Sequence, residues 1–362
     1  MINNGEENMD LSNLRKQIDK IDKDIIAALN RRAGLSLKIG NIKKKNKLGV
    51  YSPDRESDVY KKVTSGNRGP VSNEAMQVIY REIMSATLSL EGPMRVAYLG
   101  PAATFTHLAS IKKFGSSVKY VPVNSITEVF AEVQKGRAEY GVVPIENSIE
   151  GAINHTLDMF IESDLKICSE VSLEITHNLL GSGRGKIKKV YSKPEVFGQC
   201  RIWLEANLPN VELVEVSSTA KAAEIVKKKK ASACIASSLA AKCYNLRVLA
   251  KSIEDYSHNV TRFLVIGRTE PNPTKHDKTS ILFSLKDRIG ALHDILIPFK
   301  KNRINMTKIE SRPSKKKAWD YYFYVDFLGH HRDTNVRKAL NALEKNAKFI
   351  KILGSYPVGN GA

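Results

Sequence analysis

Residues 11 to 45 carry a helical apolar repeat that no small domain can bury alone. Leucine and isoleucine recur at Leu11, Leu14, Ile18, Ile21, Ile25, Leu29, Leu35, Ile39 and Ile42, mostly three or four positions apart, which predicts one amphipathic helix. At about 1.5 Å per residue, such a helix is on the order of 50 Å long. Two shorter helices follow. Ser52-Pro53-Asp54 opens one that runs to about Val63, with serine at the N-cap and proline in the first turn. The other runs from about Ser72 to Leu90, and Glu91-Gly92-Pro93 stops it. Two short helices cannot cover so long a stripe. A second copy of the chain is expected along it, giving a homodimer or a higher homo-oligomer.

From Arg95 the pattern changes to strands and helices in alternation, as far as Gly267, which predicts an α/β region of two lobes. Ser125-x-x-Glu128 is a capping box inside it. A polar linker at Lys275 to Lys278 leads to a last stretch reading strand, helix, strand, strand, helix, strand. That βαββαβ order predicts a small α+β ferredoxin-like unit, and Val358 to Ala362 read as a loose tail. The expected domains are residues 1–92, all-α with three helices; 93–271, two-lobed α/β; and 279–357, ferredoxin-like.

The 362 residues suit two or three domains, and a 42% hydrophobic content rules out wholesale disorder. No apolar run approaches the roughly 18 residues of a membrane span. Met1 to Asp10 is polar and acidic, without the h-region of a signal peptide. The formal net charge is +19, but the bases are spread over all three stretches. A nucleic-acid surface would gather them in one stripe with aromatics between; the excess here fits attraction of small polyanions. Neither a membrane nor a nucleic-acid partner is expected.

Cys168, Cys200, Cys234 and Cys243 form no Cys-x-x-Cys pair and read as small buried hydrophobes, as in a reducing cytoplasm. The eight histidines show no metal spacing, and His330-His331 reads as surface. Gly181 to Lys186 lacks the spacing of a phosphate loop. No metal or cofactor is expected.

In the helical stretch, Arg32 and Lys43 lie three turns apart on one face, and Thr87 and Glu91 share a face of the third helix. The ordered set of Arg15, Arg32, Lys43, Asp54-Arg55-Glu56, Thr87 and Glu91 resembles the all-helical chorismate mutase family over residues 10 to 91. The resemblance implies that Arg15, reaching in from a partner subunit, joins Arg32 and Arg55 on the two carboxylates of chorismate. Glu56 would take the ring hydroxyl, and Lys43 and Glu91 would face the ether oxygen. That rearrangement needs no covalent help, only a folded substrate and compensation of charge growing on the ether oxygen. Ser52 stands where family members often have aspartate. Glu91 stands where some have glutamine; a carboxylate would repel the developing oxyanion, so Glu91 is expected to act protonated.

Four stretches stand out in the α/β region. Tyr98 to His107 is a strand, a tight turn and a helix N-terminus rich in hydroxyls, suited to an anion. Pro144-Ile-Glu146-Asn147-Ser148-Ile149-Glu-Gly151 follows a buried strand, where ligands of α/β sheets collect. Ser217-Ser218-Thr219-Ala220 opens another helix, and His258-Asn259-Val-Thr261-Arg262-Phe263 begins the last strand. Together they resemble prephenate dehydratase over residues 95 to 268, with a periplasmic-binding-protein-like cleft.

The resemblance implies prephenate binding by Thr104, Thr106, Glu146, Asn147, Ser148, Ser192, Gln199, Ser218, Thr261, Arg262 and Phe263. Thr261 would donate to the departing hydroxyl, while Glu146 and Asn147 would orient the ring or feed a proton. Arg262 could anchor a carboxylate or be structural. Ile149 replaces a hydroxyl residue common in the family.

Gly290-Ala291-Leu292-His293 and Glu310-Ser311-Arg312-Pro313 resemble the phenylalanine-sensing form of the ACT regulatory domain, with His293 a departure. These two loops would receive L-phenylalanine, the carboxylate at the helix N-terminus and the ammonium near Glu310. The whole chain resembles the bifunctional chorismate mutase/prephenate dehydratase family of phenylalanine biosynthesis. The rival expectations are a monofunctional dehydratase whose N-terminal helices only dimerise, and a two-lobed sensor without catalysis.

Overall fold

The structure, a computed structural model, describes residues 4–46, 49–183, 185–286, 288–314 and 321–359, with only the backbone of residues 4–10. Three helices form the first region: α1 (Asn4–Lys45), α2 (Pro53–Gly66) and α3 (Asn73–Glu91). The face that α1 turns toward α3 is not its leucine stripe. Arg32, Ser36, Gly40 and Lys43, spaced four, four and three residues apart, lie on that face. Ser36 is 8% exposed, and a Cβ on Gly40 would stand 2.9 Å from the Cα of Glu91. Glycine at position 40 is what lets the two helices approach. The stripe from Leu11 to Ile42 stays outside, its nine residues 37% to 60% exposed. Among the described residues of one chain nothing covers it.

The second region begins β1 (Arg95–Leu99), α4 (Phe105–Phe114), β2 (Lys119–Val123), α5 (Ile126–Gln134), β3 (Tyr140–Asn147), β4 (Gly151–Ala152), α6 (Asn154–Glu162), β5 (Lys166–Glu174). The chain then crosses to a second lobe. That lobe holds β6 (Asn178–Gly181), β7 (Lys189–Ser192), α7 (Pro194–Gln199), α8 (Arg201–Asn207), β8 (Glu212–Glu215), α9 (Thr219–Lys228), β9 (Ser232–Ala236), α10 (Ser238–Tyr244) and β10 (Arg247–Ala250). It returns as β11 (Val260–Gly267). The first sheet runs β2-β1-β3-β11-β5, with β4 on β3, and the second runs β10-β6-β9-β7-β8. Because β11 inserts between β3 and β5, Thr261 pairs with Asn147 and Arg262 with Glu146. The two crossings are tied together by Ile175 N–H to Asn259 O at 2.7 Å and Ile253 N–H to His177 O at 2.8 Å.

The third region is β12 (Asp277–Leu285), α11 (Ala291–Lys301), β13 (Met306–Pro313), β14 (Tyr321–Leu328), α12 (Thr334–Asn346) and β15 (Ala347–Pro357), in one antiparallel sheet ordered β13-β14-β12-β15. This is the ferredoxin-like arrangement. Alternation along β12 divides its faces: Ile281 and Phe283 pack with Ile295 and Phe299 of α11, while Leu282 joins Ile167, Leu264 and Tyr356 in the first lobe's core. A Cβ on Gly354 would lie 2.2 Å from the Ile167 carbonyl, so glycine there allows the sheet to seat on the lobe.

Several local expectations are corrected. Ser52 sits at the N-cap of α2, but its hydroxyl donates to Asp54 at 2.7 Å and accepts no backbone N–H of the helix end. Cys243 is exposed, whereas Cys168, Cys200 and Cys234 are buried and unpaired, with thiol pKa values pushed up to about 12 by burial. His330 is 1% exposed, not surface; it lies within the β14–α12 turn, its ring tilted against that of His331. The tail is pinned at its start: Val358 N–H donates to His276 O, and Gly359 N–H to Glu170. Of the basic runs in the sequence, one, Lys315-Lys316-Lys317, lies outside the described residues.

Candidate active sites

In the helical region the facing sides of α1 and α3 bring together four of the expected residues. Arg32 Nη1 donates to Thr87 Oγ1 at 2.8 Å, and Lys43 Nζ to Glu91 Oε2 at 3.0 Å. Lys43 also donates to the Val50 carbonyl, at the bend into α2. Glu56 accepts from the Tyr51 hydroxyl at 2.6 Å. Arg55 is exposed, and Arg15 lies far out on the bare half of α1. Arg32 lies seventeen helical positions beyond Arg15, about 25 Å, so one chain cannot bring them to one ligand.

Between the lobes of the second region lies a cleft of about 530 Å³, and the N-termini of α4 and α9 both open onto it. Thr104 caps α4, donating to Leu99 O at 3.0 Å and accepting from His107 N–H at 3.3 Å; Ser218 caps α9 by accepting from Lys221 N–H at 3.0 Å. Thr106 and Phe263 also line the cleft. Two helix N-termini and the ammonium of Lys193, against Glu150 and Glu195, make this a cradle for a small anion.

A chain of amide hydrogen bonds crosses the cleft floor, and its polarity is fixed at one end. Asn147 Oδ1 accepts from the backbone N–H groups of Ile149 and Glu150 at 2.9 and 3.0 Å, so its amide nitrogen must face the other way. That nitrogen donates to Thr261 Oγ1 at 2.8 Å and to Asn259 Oδ1 at 2.6 Å. Asn259 Nδ2 then donates to Gln199 Oε1 at 3.2 Å, and Gln199 Nε2 to Glu150 Oε1 at 2.9 Å. Gln199 Oε1 has no hydrogen, so His177 Nε2, 2.7 Å away, carries the proton. Burial pushes the His177 pKa down and favours the neutral ring, leaving Nδ1 a buried lone pair with no partner among the described residues. Because Thr261 accepts from Asn147, its own hydrogen is free for a ligand.

Other expected cleft residues lie elsewhere. Arg262 and Glu146 point to the opposite face of the sheet, because side chains alternate along β11 and β3. There Arg262 is ion-paired with Glu146 at 2.8 Å, Glu170 at 2.7 Å and Asp326 of β14 at 2.6 Å. Lys308 of β13 also holds Glu146, and Lys278 of β12 holds Glu170 at 2.8 Å. Neither Arg262 nor Glu146 is placed to touch a ligand in the cleft. Ser192 is fully buried and donates to the Ile235 carbonyl at 3.0 Å; Ser148 stitches the cleft rim, donating to His258 O and accepting from Val260 N–H.

This cluster has a measurable consequence. Although burial opposes it, the cationic partners hold Glu146 and Glu170 below the usual carboxylate range. Their contribution is present above the unfolded carboxyl range and is lost as pH falls through the lower folded values. Glu170→Gln is expected to lower stability at neutral pH by about 1.5–3 kcal/mol, read as a denaturation midpoint, with the difference closing below about pH 4.

In the third region Gly290 has a φ of +75° at the N-cap of α11, with Leu292 41% exposed beside it. Glu310, Ser311 and Pro313 lie on the edge strand β13 with Arg312. Arg312 is committed elsewhere, donating to both oxygens of Asp158 on α6 at 3.2 Å.

Three family models match the chain in order: chorismate mutase type II over residues 14–92, prephenate dehydratase over 96–271 and ACT domain over 279–345. A bifunctional chorismate mutase/prephenate dehydratase of Aquifex aeolicus is 51% identical over 354 residues, covering 96% of this chain and 98% of that one. The chain belongs to the bifunctional chorismate mutase/prephenate dehydratase family. A family member of the same name from Pseudomonas aeruginosa is 45% identical over 96% of this chain and 97% of its own length. The solved prephenate dehydratase of Arthrobacter aurescens in complex with L-Phe superposes with a TM-score of 0.68 at 33% identity, covering 73% of this chain and 90% of that one.

Asn259, His177 and Lys193 are among the cleft residues to which the sequence assigned no role. Asn259 had a legible signal, since it stands two residues before Thr261, just ahead of β11. His177 and Lys193 had none, because each follows a strand end whose position only the crossing chain fixes.

Proposed function

We propose that this chain rearranges chorismate to prephenate in its helical region and converts prephenate to phenylpyruvate in the cleft. The observation that carries this reading is the joint presence of a cationic face on α1, with Arg32 and Lys43 turned toward Thr87 and Glu91, and the polarised Asn147–Thr261 pair at the cleft floor. In the first reaction Arg32, Arg55 and a partner's Arg15 hold the two carboxylates, Glu56 accepts the ring hydroxyl, and Lys43 and Glu91 meet the ether oxygen. In the second, the helix N-termini and Lys193 hold substrate carboxylate, and Thr261 donates to the departing hydroxyl as carbon dioxide leaves. Aromatisation drives the step.

The uncovered stripe on α1 supports a homodimer in which each mutase pocket is completed by the partner's Arg15. The exposed loop at Gly290 and the edge strand β13 support a phenylalanine site between paired third regions, with feedback inhibition. The unpaired, buried thiols suit a reducing cytoplasm. Supplying chorismate and measuring phenylpyruvate, with and without phenylalanine, tests both activities and the control in one assay. Chorismate left unconsumed while prephenate still turns over would favour the monofunctional reading, and no phenylpyruvate from either substrate would favour a binding role.

Glu91 gives a further expected result. Negative charge growing on the ether oxygen is incompatible with a neighbouring carboxylate. Glu91→Gln, which removes the carboxylate and keeps the shape, is therefore expected to preserve or raise chorismate turnover. A Glu91→Gln protein that loses chorismate turnover would contradict the role.

A further inference from the structure

Tyr51, in the bend between α1 and α2, is seated in the dehydratase region. It is 5% exposed, edge-on to Phe114 at 5.0 Å and Tyr140 at 5.2 Å, and the Tyr140 hydroxyl donates to its carbonyl at 3.0 Å. This hook sets the first turn of α2 against the last turn of α4. There Lys113 Nζ donates to Glu56 Oε2 at 2.5 Å, and its ammonium stands 5.8 Å from the centre of the Tyr51 ring. The Tyr51 hydroxyl donates to the same oxygen. Burial, with Glu56 beside it, pushes the Tyr51 pKa well up, so the phenol stays a donor. Among the described residues nothing donates to Oε1 of Glu56.

Two donors on one carboxylate oxygen fix the rotation of the group and leave the other oxygen for a ligand. Lys113 and Glu56 are 16% and 10% exposed, so water does little to replace a lost contact. We propose that Lys113, which belongs to the dehydratase region, is a positioning residue for the mutase reaction, holding Glu56 so that Oε1 meets the ring hydroxyl of chorismate. The inference rests on the reading of Glu56 as the acceptor of that hydroxyl. It makes α4 a shared wall: its N-terminal residues Thr104, Phe105 and Thr106 line the cleft, and its C-terminal end, about 15 Å away, braces the other pocket.

The test uses the full chain with Lys113→Met, Lys113→Arg and Glu56→Gln, following chorismate consumption and, separately, phenylpyruvate formation from prephenate. Lys113→Met is expected to raise KM for chorismate about tenfold with a smaller change in kcat, and Lys113→Arg to restore most of it. Phenylpyruvate formation from prephenate should be unchanged. A chorismate analogue lacking the ring hydroxyl should bind wild type and Lys113→Met alike. If Glu56→Gln impairs chorismate handling but Lys113→Met does not, the inference fails while the Glu56 reading stands. If Glu56→Gln has no effect, both fail. Equal losses in the two activities of Lys113→Met would make Lys113 a structural brace only and overturn the proposal.

Discussion

Thr261→Val is expected to lower phenylpyruvate formation from prephenate by about 10²- to 10⁴-fold, the range for removing a positioned proton donor, with chorismate consumption intact. Valine keeps the shape of threonine and its place on β11 opposite Asn147, so the loss measures the hydroxyl. The hydroxyl matters because of its polarity. Asn147 is oriented by two backbone N–H groups and donates to Oγ1, which leaves the Thr261 hydrogen to serve as the donor in the proposed reaction. An alcohol is a weak acid, and the carbocyclic ring must already be losing its carboxylate as the bond to oxygen lengthens. Asn147→Asp tests the polarity: an aspartate keeps the turn's size but can no longer donate to Thr261, and its activity should fall nearly as far. An Asn147→Asp protein with full dehydratase activity would contradict the relay.

The second large effect concerns the stripe on α1. Ile18→Glu with Ile25→Glu places two charges among residues 49% to 59% exposed in one chain. In a monomer such changes are nearly neutral. In a dimer zipped along this helix they bury unpaired carboxylates, and each leucine or isoleucine lost from the seam costs about 1.5–3 kcal/mol. The double variant is expected to lose its helical pairing and to drop at least about 10²-fold in chorismate turnover, since each pocket would lose its Arg15. The cleft's own residues come from one chain, so prephenate turnover should survive. Unchanged mass by light scattering together with unchanged mutase activity would contradict the shared pocket.

Much of this was legible in the residues because it rests on period and punctuation. The 3.6-residue repeat of α1 gave a helix needing company, and the structure adds that the inward face is polar and small, built on Arg32, Ser36, Gly40 and Lys43. The βαββαβ order predicted the third region's sheet because each strand carries its own alternation. What failed was orientation. Arg262 and Glu146 sit next to Thr261 and Asn147 in sequence, and the family resemblance grouped all four in one site, with a structural role for Arg262 left open. A strand sends neighbours to opposite faces, and here the far face is covered by Lys308 and Asp326. Nothing local reveals that a second sheet supplies those charges. Lys113 escaped notice for the same reason: its partner, Glu56, is 57 residues away and in another domain.

Whether two copies of the chain enclose one dianion is tested by mixing two dead variants. Arg15→Ala and Arg32→Ala homodimers should each lack mutase activity, for each pocket then misses one guanidinium. After unfolding and refolding together, half the dimers carry one of each chain, and one of their two pockets has both arginines. The mixture should therefore recover about a quarter of wild-type chorismate turnover. A mixture as inactive as its components, with mixed dimers demonstrated by mass, would show that Arg15 does not complete the partner's pocket.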